Sequence, residues 1–76
     1  MSDADIEKKA SSAFEKYKGI AEGRRFNVYH WLRNLIVIAK DRITKLVCFR
    51  ALVRLLKSWG LTPKTAAEQF GVPATA

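Results

Sequence analysis

Between Asn27 and Trp59 the chain contains neither glycine nor proline, so nothing in the local backbone chemistry interrupts a helix there. One continuous helix over that run would reach about 50 Å at 1.5 Å per residue, too long for a compact monomer of this size. The apolar pattern points to a break. In residues 28–39 the apolar side gathers Val28, Trp31, Leu32, Leu35, Ile36, Ile38 and Ala39, with Arg33 and Asn34 away from it. In residues 46–59 it gathers Cys48, Leu52, Leu55, Leu56 and Trp59, opposite Arg50, Arg54, Lys57 and Ser58. At 100° per residue the centre of the apolar face turns by roughly a quarter turn between these halves. The polar stretch Lys40-Asp41-Arg42 sits at the change. The spacing predicts two helices, about 27–40 and 43–59, meeting at a kink or tight turn, with Asn27 as the first cap. A single long helix in a dimer is the competing arrangement.

The flanks are punctuated by capping residues. Residues 2–18 predict an amphipathic helix: Ser2 and Asp5 have capping-box spacing, and Ile6, Ala10, Ala13, Phe14 and Tyr17 form one stripe. That stripe is thin, so the helix must dock on another element to persist. Gly19 and Gly23 bracket its exit. Gly60 suits a left-handed cap after the third helix. Thr62 as N-cap and Pro63 at the first helical position begin a fourth, whose inward face is Ala66, Ala67 and Phe70. Gly71, Val72 and Pro73 supply its stop. The expected fold is all-α: one domain, 1–76, with helices near 2–18, 27–40, 43–59 and 63–70, and residues 1–22 the most loosely attached part.

Charge is unevenly distributed. Residues 23–64 hold ten Lys and Arg against Asp41 alone, while the whole chain carries a net +7. Such a segment implies an anionic partner: nucleic acid, an acidic protein face or an anionic membrane surface. Arg50, Arg54 and Lys57 fall at i, i+4 and i+7, so they share one helix face that can meet successive phosphates. Arg24, Arg25, Arg33, Lys40 and Arg42 extend the candidate site. A solvated basic face is the plain alternative.

Other chemistry is poorly represented. Cys48 is the only cysteine and His30 the only histidine, so a disulfide within the chain and a cysteine-based zinc site are excluded. No glycine-rich phosphate loop, carboxylate pair or metal-ligand spacing is present, and the expectation is no enzyme, no metal and no cofactor. His30 reads as a helix-start residue stacking beside Trp31, and Cys48 as a small core residue. The acidic, lysine-rich N-terminus does not read as a signal peptide, and no apolar run approaches the roughly 20 residues of a membrane span. A cytoplasmic protein of a bacterium or phage is expected.

The segment Leu61-Thr62-Pro63-Lys64-Thr65-Ala66-Ala67-Glu68-Gln69-Phe70-Gly71-Val72-Pro73 resembles the first helix and turn of a bacterial helix-turn-helix module. Ala66-Ala67, Phe70, Gly71 and Val72 fall in the places of that pattern. The recognition helix that would meet base edges has only Pro73-Ala74-Thr75-Ala76 left, so the resemblance carries no base-reading residue.

Trp31, Phe49, Trp59, Val37 and Leu55 point in several directions, more apolar surface than a small bundle can bury. Trp31, Phe49 and Trp59 are therefore candidate interface anchors, and a second copy of the chain is the first expected partner for them. The leading functional expectation is a small basic regulatory protein that binds DNA or RNA through phosphate contacts. The alternative is a protein-binding adaptor or inhibitor that sets the same basic face and aromatics on an acidic partner. A membrane-surface helix ranks third.

Overall fold

The computed structural model describes residues 2–71, which form four α-helices and one 3-10 turn. Helix α1 is Asp3–Tyr17, α2 is Arg25–Ile38 (entered through the 3-10 turn Glu22–Arg24), α3 is Arg42–Ser58 and α4 is Pro63–Gln69. The fold is all-α, as the sequence implies, and the long glycine-free run is broken at Ala39-Lys40-Asp41.

That break is built locally. Ala39 leaves the helix with an extended backbone (φ −62°, ψ 132°), and the Asp41 carboxylate accepts the Thr44 backbone N–H at 2.8 Å to open α3. This bond, with a further one to the Thr44 side chain, holds the Asp41 carboxyl below its usual pKa. A carboxylate with a depressed folded-state pKa stabilises the fold above its unfolded value, here the ordinary 3.8, and loses that contribution as pH falls through the lowered value. Asp41→Asn keeps a capping acceptor but cannot titrate. Thermal melts at pH 7 and pH 3 should show a smaller acid-induced loss for Asp41→Asn than for the native chain, whereas Asp41→Ala should lower the melting temperature already at pH 7.

The other ends follow the same logic. The Ser2 hydroxyl accepts the Asp5 N–H at 3.3 Å. Thr62 and Thr65 form a reciprocal capping box around Pro63 at the start of α4. At the end of α3, Gly60 (φ +76°) turns the chain so that its N–H reaches the Lys57 carbonyl at 3.0 Å and the Leu61 N–H reaches the Leu56 carbonyl at 2.7 Å. This pair of bonds is the Schellman arrangement, which needs a left-handed residue between helix and exit. Asn27 caps nothing: α2 begins two residues earlier, behind Arg24, which offers no side-chain cap. Val72 and Pro73, part of the expected stop, lie outside the described residues.

Helix α3 is central, with α1 against one side and α2 against another, and the molecule is flattened to 34 × 28 × 17 Å. The main core joins Val28, Tyr29 and Leu32 of α2 to Cys48, Leu52, Leu55 and Leu56 of α3, closed at one end by Ala66 and Phe70. Phe70 lies 4.9 Å from Tyr29 and 6.4 Å, edge-on, from Trp59. Phe14 and Tyr17 bring the second half of α1 onto this core. The first half packs through the buried Ile6 and Ala10; fully buried Ala10 and Ala51 are small enough to let α1 and α3 approach closely.

Three packing expectations change. Trp31 (49% exposed) and Ile38 (60%) leave the inward face of α2, and Tyr29 takes a place there. Phe70 supplies the reason, since packing on Tyr29 rotates the buried face of α2 toward α4. Leu55, counted above among surplus apolar residues, is completely buried. His30 stacks on Phe26, one turn before it, at 4.3 Å rather than on Trp31. Cys48 is buried and free, and burial pushes its thiol pKa up, with the Asp41 charge a lesser contributor.

Candidate anion-binding surface

The candidate cations divide into those held by the fold and those left to solvent. Arg50 and Arg54 belong to the first group. Their spacing of four places both on the side of α3 that meets α1, where Arg50 Nη1 donates to Glu7 Oε1 at 2.7 Å. Arg54 donates to the other Glu7 oxygen and to the Ser11 hydroxyl, and Asp3 lies 4.0 Å from Arg50. One carboxylate thus bridges two guanidinium groups 43 and 47 residues away in sequence. The side chains of Arg50, Arg54 and Glu7 keep 32%, 38% and 42% exposure, so water screens these pairs, and each contributes at most about 1 kcal/mol. Their main effect is directional: they fix how the first half of α1 lies on α3.

Arg25 is also engaged. Its guanidinium lies 5.2 Å from the centre of the Trp59 ring and 3.7 Å from Glu22. Trp59 is itself half-buried between Arg25 and Phe70, so it serves the core more than a partner.

Arg24, Arg33, Lys40, Arg42, Lys45, Lys57 and Lys64 are exposed and carry no ion pair among the described residues. Lys40, Arg42 and Lys45 cluster at the α2–α3 corner, where the adjacent Asp41 carboxylate is committed to capping. Arg24, Lys57 and Lys64 belong to the opposite end, because α2 and α3 run antiparallel and Arg25 reaches Trp59 there. Arg33 lies between. The structure therefore separates Arg50 and Arg54 from Lys57, which the helical spacing alone had put together. Lys45 was missing from the candidate site although its signal was present: it lies at i+3 from Arg42 and i−4 from Phe49, on their side of α3.

Among the anchors, Trp31 is half-exposed with an edge-on contact to Tyr17 at 5.7 Å, and Phe49 is 54% exposed. The described surface holds no pocket, no group of metal-ligating side chains, and no helix long and apolar enough to cross a membrane. No family model, curated protein or solved structure matches the chain.

Proposed function

We propose that this is a non-enzymatic protein that binds nucleic acid through its phosphates, without reading base sequence. The observation that carries the reading is the charge left after folding. Among the described residues four of the fourteen cations are paired with carboxylates, while every Arg and Lys between residues 24 and 64 left unpaired there is solvent-exposed. Exposed, unpaired cations have no ion pair to break before meeting a polyanion, and each phosphate they neutralise releases condensed counterions. Arg24, Arg33, Lys40, Arg42, Lys45 and Lys57 are assigned this role, and Arg50 and Arg54 are assigned to holding α1. The likeness of 61–73 to a helix-turn-helix adds no base-reading residue to the proposal.

Fluorescence anisotropy with labelled duplex DNA and single-stranded RNA, at several salt concentrations between about 50 and 200 mM, tests it. The logarithm of affinity should fall linearly with the logarithm of salt, and the slope divided by about 0.9 for duplex, or 0.7 for single strand, counts the phosphates engaged. Absence of binding at the lowest salt overturns the reading. In that case the exposed Phe49 and Trp31 favour the second one, in which the same cations face an acidic protein.

A further inference from the structure

Helix α3 presents a third side to solvent beyond those taken by α1 and α2. Arg42, Leu46, Phe49, Val53 and Lys57 recur at i, i+4, i+7, i+11 and i+15, a single face at 3.6 residues per turn. Leu46 and Val53 are half-buried, and Arg42, Phe49 and Lys57 are exposed, as is Lys45 beside them. No aspartate or glutamate occurs anywhere in α3. Phe49 is distinctive here. The other exposed aromatics are engaged, Trp31 with Tyr17 and Phe26 with His30, whereas the Phe49 ring has no aromatic or cationic ring partner among the described residues.

We infer that this face is a stacking platform for single-stranded nucleic acid, with a base on the Phe49 ring and the neighbouring phosphates on Lys45, Arg42 and Lys57. The inference rests on the phosphate-binding reading and narrows its ligand. At 1.5 Å per residue, Lys45 and Arg42 lie about 6 and 10 Å from Phe49 on one side, and Lys57 about 12 Å on the other. A free aromatic ring set in a row of cations complements a polymer that alternates flat apolar groups with regular negative charge. Duplex DNA offers the charge but keeps its base faces stacked inside, so it leaves the ring idle. An anionic bilayer also offers charge, but one ring between two half-buried aliphatic residues gives it little to insert.

The test uses the full chain, a labelled oligothymidine and a duplex of equal length, near 0.1 M salt, with native protein and Phe49→Leu. Leucine keeps an apolar side chain at an exposed site and removes only the ring face, and circular dichroism verifies that the helices persist. The native protein should bind oligothymidine more tightly than duplex. Phe49→Leu should weaken oligothymidine binding roughly 5- to 100-fold, the range seen for loss of one stacked base, and leave duplex binding unchanged. Equal affinities of native and variant for oligothymidine overturn the platform while leaving the phosphate reading intact, as does a parallel loss for both ligands. Binding of neither oligonucleotide overturns both, and Phe49-dependent co-sedimentation with phosphatidylserine vesicles would then identify a membrane as the occupant.

Discussion

Leu55→Ala is expected to leave the chain largely unfolded at 25 °C. Among the described residues Leu55 is the one large side chain with no exposed surface, and it sits in the cluster shared by α2, α3 and α4. Truncating a leucine at such a site typically costs 2–5 kcal/mol, made up of lost transfer energy and the cavity left behind. A single core in a domain this short rarely supplies more than about 3–5 kcal/mol in total, so the loss is comparable to the whole stability. With each kcal/mol worth about 4–8 °C in a domain of this length, the melting temperature should fall by 10 °C or more, on that order of magnitude. Leu55→Met, which nearly conserves volume, should cost less than about 1.5 kcal/mol and stay folded. Circular dichroism melts of the two variants check this directly. A Leu55→Ala protein that melts within a few degrees of the native chain would mean that the core is not organised around α3.

Replacing Arg42, Lys45 and Lys57 together with glutamine should weaken nucleic-acid binding on the order of a hundredfold at 0.1 M salt. Each phosphate contact contributes about 0.7–0.9 to the slope of log affinity against log salt, or a little under one decade at that concentration. Three lost contacts therefore give two to three decades and reduce the measured slope by about 2–3. The three side chains are exposed and unpaired, so the melting temperature should scarcely change. The same experiment at Arg50 and Arg54 would be uninformative. Glutamines there leave Glu7 and Asp3 without their cationic partners, so any loss of binding would be mixed with the unseating of α1. A glutamine triple variant with native affinity and native slope would remove these residues from the contact surface.

The elements were legible because their signals are short-range. Ser2, Thr62, Pro63 and Gly60 act within three or four residues of themselves, and each sits where its chemistry requires, whereas the capping role of Asp41, read only as part of a polar stretch, came from the structure. Asn27 misled for the same reason: a good capping residue is only a local preference, and Arg25 and Phe26 were drawn into α2 by the 3-10 turn that precedes it. The inward face of α3 was also legible, since Cys48, Leu52, Leu55 and Leu56 dominate its wheel and all are buried. On α2 the apolar residues surround too much of the helix for periodicity to choose among them, and the position of Phe70 chose Tyr29 over Trp31.

Sequence alone determined that the chain is helical, where its helices begin and end to within about two residues, and that its charge is concentrated between residues 23 and 64. These properties depend on neighbours along the chain or on composition. Tertiary structure alone decided which charges are free. Arg50, Arg54 and Lys57 are equivalent on a helical wheel, yet Glu7 takes the first two and the third stays exposed. Likewise, Phe49 and Leu55 are both large and apolar on one helix, and the sides that α1, α2 and α4 happen to cover make one a free surface and the other the centre of the core. Contacts across more than forty residues are set by how helices pack, and no local pattern encodes them.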